Sequence, residues 1–221
     1  MRLTMEKTTG ILALRLAGAV AASAAFGLIA TQTRAWDTLP LAVGLGFLFG
    51  TGFIGGTGYR IIIAAATGRQ EQAPASWSGA TAGAALLTLA LWLVLVMSGK
   101  DGGPALLGFG IGINIAYLLA KFACLSAGCC HAEPGHGLRA DLRVTEIAGT
   151  VLVLGAAALL ALTHTGLAAT VAIGGHLLVR LVSRWMRGRW SWGWPPLRQP
   201  GAEIAPLVVL LAVSLASLTA H

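Results

Sequence analysis

The residues best suited to chemistry are clustered between Lys121 and His136, in the segment KFACLSAGCCHAEPGH. Thiolate and imidazole are ligands for soft metals such as zinc or copper(I), so Cys129, Cys130, His131 and His136 suggest a metal or redox site. Adjacent cysteines rarely point at one tetrahedral centre, however, and the sequence has no second cysteine pair. Packed cysteines are the favoured interpretation, and neither a metal nor a cofactor is predicted.

A second set of polar residues falls on one face of a predicted helix near the C-terminus. His176, Arg180 and Arg184 recur every four positions, and Arg187 follows three positions later. Such a face cannot lie against lipid tails, so we expect it to face a wet cavity or to bind a phosphate group, which guanidinium groups fit well. The alternative for Arg184 and Arg187 is that they are ordinary positive residues beside the membrane.

Two further charged residues adjoin apolar runs. An amine at Lys121, near the end of such a run, is costly unless it snorkels to the surface, pairs with a carboxylate or serves a site. Glu146 precedes the next apolar run and is the carboxylate counter-ion expected for the arginine face. Alternatively, Glu146 is a helix-start residue that the helix dipole favours.

The composition places these residues in a membrane protein. Of the 221 residues, 56% are hydrophobic and only 10% are charged, whereas soluble domains carry about 25% charged residues. A water-soluble enzyme and a disordered chain are therefore excluded, and an all-α membrane helix bundle is predicted. The net charge of +7 and the Trp/Arg-rich segment 185–200 indicate contact with anionic lipid headgroups rather than with nucleic acid.

The apolar runs predict about seven transmembrane helices within a single integral membrane domain, residues 1–221. Positive residues near the predicted helix ends favour a cytoplasmic N-terminus. If the late arginines form a substrate site, they must be left out of this count of positive residues. An N-terminus outside the cytoplasm is then also open. The predicted spans are Leu16–Thr33, Thr38–Tyr59, Pro74–Gly99, Gly102–Ala120, Ile147–Thr163, Gly166–Arg184 and Ile204–Ala220. The fourth continues through Lys121 into the cysteine-containing segment.

The cysteine-containing segment also carries a family resemblance. LSAGCCHAEP, preceded by Lys121 and followed by Glu146 at an apolar helix, resembles the signature of prolipoprotein diacylglyceryl transferases. Weaker matches extend over roughly residues 40–220. The segment FIGGTGY at 53–59 resembles the family's glycine-rich second helix, WSGA at 77–80 its Phe-His-Gly-Gly, and HLLVR at 176–180 its late arginine motif.

This resemblance implies an enzyme of the bacterial cytoplasmic membrane. It transfers a diacylglyceryl group from phosphatidylglycerol to the thiol of a prolipoprotein cysteine. The implied partners are a phosphatidylglycerol-like phospholipid and a prolipoprotein signal peptide or a membrane protein, and nucleic acid is not among them. The expected catalytic residues are Arg180, Lys121, Glu146 and His131; the expected substrate-binding residues are Arg187, His176, Ser78, Tyr59 and Gly128.

Three departures from the family pattern leave a second function open. Ser78 stands where the family has a catalytic histidine, Lys121 replaces an arginine, and Arg184 replaces a late carboxylate. Lysine lacks the two-pronged grip of arginine on phosphate, and serine does not act as a base near neutral pH without a partner. The alternative is a non-catalytic phospholipid-binding subunit or scaffold that kept the fold. The family also has its N-terminus outside the cytoplasm, opposite to the charge count.

Overall fold

The computed structural model describes residues 77–127, 141–186 and 203–219, together with the isolated residues 17, 20, 21, 24 and 25. These residues are helical or lie in turns, and none of them is in a β-strand, which confirms the all-α class for this part of the chain. The second predicted span and most of the first lie outside it. The described helices are α1 (Trp77–Met97), α2 (Gly103–Ala127), α3 (Leu142–Ala161), α4 (Thr165–Met186) and α5 (Ile204–Thr219).

Four of these helices, α1 to α4, are long and apolar enough to cross a membrane, whereas α5 is a shorter apolar helix. A spanning helix needs about 20 residues because the hydrocarbon core is about 30 Å thick. Large apolar side chains such as Leu86, Leu152 and Leu159 lie on the outside of the bundle. These are the features of a multi-pass membrane protein.

One predicted boundary was wrong, and the error involves charged residues. The fourth predicted span, Gly102–Ala120, is expected to continue through Lys121, and α2 does include Lys121 and continues to Ala127. The fifth was predicted to begin at Ile147, but α3 begins at Leu142, where the Asp141 side chain caps the helix by accepting a bond from the Arg143 amide. Charged residues that form ion pairs inside the bundle do not end a helix. A search for charge-free runs therefore places the start of α3 too late in the sequence.

Two connections reverse the chain between neighbouring helices. Gly99 has a φ of 70°, which glycine adopts without the strain of a Cβ, and the Lys100 amide bonds to the carbonyl of Leu95 at 2.9 Å. This arrangement ends α1 as a Schellman motif does. The predicted turn around Thr163 and His164 is confirmed, since α3 ends at Ala161 and α4 begins at Thr165.

Helix α4 lies at the centre and packs against α2, α3 and α5. The residue pairs in contact show that α4 runs parallel to α2 and antiparallel to α3 and α5. Consequently α2 and α4 end, and α3 and α5 begin, at one end of the bundle, which we call the polar end. Parallel pairs are 110–172, 114–176 and 117–180; antiparallel pairs are 149–179 and 153–175 with α3, and 170–214 and 180–203 with α5.

Close packing of α2 on α4 depends on Gly110. A Cβ at this position would lie 2.6 Å from the Cβ of Ala172, closer than two carbon atoms can approach. Small residues at such crossings let membrane helices pack backbone to backbone. Gly110 therefore sets the separation of the two helices that carry most of the buried polar residues described below.

We expect Gly110→Ala to lower the free energy of unfolding by about 1–3 kcal/mol, because an overpacked contact forces the helices apart. Gly155→Ala is the matched control, since a Cβ there meets nothing within 4 Å. Removing a helix-interior glycine at an open position should instead stabilise the protein by about 0.5–1 kcal/mol. Thermal unfolding midpoints of the two variants in detergent micelles test this, and shifts of the same sign would contradict it.

Candidate functional site

Four charged side chains from α2, α3, α4 and the residue before α5 meet inside the bundle, near the polar end. They are almost fully buried, with exposed fractions of 6% for Lys121, 2% for Glu146, 7% for Arg180 and 0% for Glu203. Two cations thus face two carboxylates in an apolar surrounding. We call these four residues together with Tyr117 the buried ion cluster.

Glu146 holds the first half of the cluster. Its Oε2 lies 2.6 Å from Nζ of Lys121, and its Oε1 accepts hydrogen bonds from the hydroxyl of Tyr117 at 2.8 Å and from the hydroxyl of Ser183. Both carboxylate oxygens are therefore engaged. Lys121 pairs with this carboxylate inside the bundle and does not snorkel to the surface.

Arg180 forms the second half of the cluster with Glu203. Its Nε and Nη2 donate to Oε1 of Glu203 at 3.1 and 2.6 Å, and its Nη1 donates to the hydroxyl of Tyr117 at 3.1 Å. The prediction that Glu146 is the counter-ion of the arginine face is therefore wrong for Arg180. Glu203 takes that role because α5 starts beside the end of α4, while Glu146 faces Lys121 across the antiparallel α2–α3 contact.

Tyr117 joins the two ion pairs. Its hydroxyl accepts from Arg180 and donates to Glu146, so hydrogen bonds connect Glu203 with Glu146. The other carboxylate oxygen of Glu146 then forms the ion pair with Lys121. Its ring centroid lies 5.0 Å from Nζ of Lys121 and 5.3 Å from Cζ of Arg180, within range for cation–π attraction. Loss of charge in either ion pair is therefore expected to change the position or electrostatic environment of the other pair.

His176 lies beside the cluster, one turn before Arg180, and is completely buried. The amide nitrogen of Asn114 donates to the carbonyls of Gly110 and Ala172, at 2.7 and 3.0 Å, which turns its Oδ1 toward Nδ1 of His176 at 3.2 Å. Because Oδ1 only accepts, the proton of the neutral imidazole must lie on Nδ1. Nε2 is then an acceptor, and it has no hydrogen-bond partner within the described part of the chain.

A further ion pair fastens helices at the polar end. Arg143 Nε donates to both carboxylate oxygens of Asp141, at 2.9 and 3.2 Å, and its Nη1 contacts the carbonyl of Cys124 at 3.5 Å. The start of α3 is thereby tied to the last turns of α2. This pair supports the geometry of the buried ion cluster without joining it.

The structure brings together four residues that the sequence singled out: Lys121, Glu146, His176 and Arg180. Ser78 lies in the first turn of α1, although its side chain is outside the described part. Arg184 is partly exposed on α4. Seven other residues named in the sequence analysis are not among the described residues: Tyr59, Gly128, Cys129, Cys130, His131, His136 and Arg187.

Sequence reasoning missed Tyr117, Asn114, Ser183 and Glu203. Two of them carry a signal in the spacing, because Tyr117 precedes Lys121 by one helical turn and Ser183 follows Arg180 by three positions, so each shares a face with a charged residue. Glu203 directly precedes the last apolar run. Within the described ranges no group of three or more His, Cys, Asp or Glu residues is placed to hold a metal ion, and the hypothesis for 129–136 lies outside them.

The cluster offers a polarised, water-poor environment for an anion. A guanidinium has five N–H donors. Three of those of Arg180 bond to Glu203 and Tyr117, and within the described part of the chain two remain for an anionic oxygen. The low dielectric of the bundle strengthens such contacts.

Comparisons of the chain with protein-family models, with curated proteins and with solved structures gave no match.

Proposed function

We propose that the protein is a phospholipid-dependent transferase of the prolipoprotein diacylglyceryl transferase type, built on seven transmembrane helices in a bacterial cytoplasmic membrane. The single observation that carries this proposal is the meeting of Lys121, Glu146 and Arg180. These three residues belong to three different helices. Lys121 and Glu146 flank the cysteine-containing segment of the family resemblance, and Arg180 belongs to its late arginine motif. They form one buried ion cluster through Tyr117.

The energetics of the cluster support a functional role. Taking charged groups out of water costs several kcal/mol per ion, and well-packed apolar residues in place of a buried ion pair are often neutral or stabilising. Ionisable residues inside membrane helices therefore usually mark substrate, ion or proton sites. Four buried charges and a bridging tyrosine exceed what an apolar bundle needs for packing.

The proposed reaction divides into leaving-group stabilisation and proton removal. The cysteine sulfur attacks the glyceryl carbon that bears the phosphate ester. A C–S bond forms, the C–O bond breaks, and its electron pair leaves with glycerol phosphate. The two remaining N–H groups of Arg180 stabilise the leaving phosphate, and the Lys121 ammonium adds positive charge nearby. His131, which the family resemblance gives as a catalytic residue, receives the thiol proton.

The test is a transfer assay with the purified protein in micelles, phosphatidylglycerol and a lipobox peptide, with thioether-linked product measured by mass spectrometry. The unmutated protein should form product. Arg180→Ala and Lys121→Ala should each reduce the rate at least about 100-fold, as expected for loss of a charge-stabilising group. Lys100→Ala, in the exposed α1–α2 connection, is the control and should change the rate less than twofold. Absence of product with the unmutated protein would overturn the proposed reaction.

Two observations favour the second candidate, a phospholipid-binding subunit without catalysis. Both cations of the cluster are paired with carboxylates, and serine replaces the expected histidine at position 78. An ion-paired cluster of this kind can hold a lipid headgroup without promoting a reaction. Retained phosphatidylglycerol binding in the absence of product identifies this function.

A further inference from the structure

Glu203 is placed to control the orientation of Arg180. It is fully buried and directly precedes α5, so its carboxylate enters the cluster from a helix that carries none of the other cluster residues. Nε and Nη2 of Arg180 both donate to the same oxygen, Oε1. One edge of the guanidinium is thereby fixed to the start of α5.

The opposite constraint comes from Tyr117, which accepts from Nη1. An arginine side chain has considerable rotamer entropy, which must be lost whenever it binds a ligand in one geometry. When two protein groups fix the guanidinium beforehand, this entropy has been lost during folding. The two remaining N–H groups then point in set directions before any ligand arrives.

We infer that Glu203 is a positioning residue for a phospholipid phosphate bound by Arg180. The inference rests on the proposed function and identifies the group that orients its anion-binding arginine. Glu203 does not touch the lipid. It holds Nε and Nη2 so that the remaining N–H groups meet the phosphate oxygens.

Electrostatics alone predicts the opposite effect of removing this carboxylate. A negative charge next to Arg180 repels a phosphate, so loss of Glu203 should raise phospholipid affinity if the residue is only a counter-charge. If Glu203 acts by positioning, its loss lowers affinity because the guanidinium is no longer held. The direction of the change therefore separates the two roles.

The experiment measures binding of phosphatidylglycerol to the full-length protein in micelles by native mass spectrometry. Parallel titrations use diacylglycerol, which lacks the phosphate, and inorganic phosphate, which lacks the lipid. We expect Glu203→Ala to weaken phosphatidylglycerol binding at least tenfold. Glu203→Gln, whose amide oxygen still accepts from Nε and Nη2, should stay within about threefold. Asp101→Asn removes the same charge at the opposite end of the bundle and should leave binding unchanged.

The transfer assay tests the proposed reaction, and the binding results test the role of Glu203. Equal or tighter binding by Glu203→Ala would overturn it even if transfer is observed. Weaker binding by Glu203→Ala in a protein that makes no thioether supports it while the proposed reaction fails. An unmutated protein that does not prefer phosphatidylglycerol over diacylglycerol overturns both, as does an equal response to inorganic phosphate alone. The Gln variant keeps the test valid if the Ala variant does not fold.

Discussion

Glu146→Leu is expected to lower the free energy of unfolding by about 3–5 kcal/mol, the usual cost of removing one partner from a buried ion pair. The substitution leaves the ammonium of Lys121 in the apolar interior without its carboxylate at 2.6 Å. It also removes the acceptor of the Tyr117 and Ser183 hydroxyls. Thermal or denaturant unfolding of the variant in micelles measures the loss.

A double-mutant cycle with Lys121→Met assigns that loss to the ion pair. The double variant replaces both charges with apolar side chains, so it should be more stable than Glu146→Leu alone. Leu142, also fully buried on α3 but not part of the buried ion cluster, supplies the matched control: Leu142→Ala combined with Lys121→Met should give additive losses. Additivity in the Lys121–Glu146 cycle would contradict the proposed coupling.

The sequence was sufficient to predict the helical class, the turn before α4 and a face of α4 that avoids lipid. Each of these follows from a local pattern. Apolar runs must be helical in a membrane because every backbone amide needs a partner within its own segment. The four-residue spacing of His176 and Arg180 places both on one face, and a charged face cannot contact lipid tails. The structure confirms that both side chains are buried.

The pairing of the charges was not predictable in the same way. Whether Arg180 meets Glu146 or Glu203 depends on the register of α4 against α3 and α5, which no local pattern encodes. Lys121 illustrates the same limit: the apolar run predicts that the helix passes through this charge, but it does not identify Glu146 on α3 as the partner. Tyr117 went unnoticed because a tyrosine in an apolar run resembles an ordinary core residue until its hydroxyl partners are known.

Arg180→Met is the second substitution with a large expected effect, and it has a matched control one turn away. It leaves the fully buried Glu203 without the guanidinium that neutralises it and removes a donor from Tyr117. We expect a loss of about 3–5 kcal/mol in the free energy of unfolding. Arg184→Met changes the same side chain at a partly exposed position of α4, where an ion pair contributes about 0–1 kcal/mol. Unfolding midpoints of both variants in the same micelles give the comparison.

The comparison of Arg180→Met with Arg184→Met also tests whether the late arginines only set the orientation of the protein in the membrane. If the late arginines serve only to orient the protein in the membrane, Arg180 and Arg184 are equivalent flanking residues, and both substitutions should have small, similar effects. If the ion pair of Arg180 within the buried ion cluster stabilises the fold, the loss of stability in Arg180→Met should exceed that in Arg184→Met by at least about 2 kcal/mol. In that case Arg180 must be left out of the charge count that favours a cytoplasmic N-terminus. The charge count then conflicts less with the orientation that the family resemblance implies, in which the N-terminus lies outside the cytoplasm.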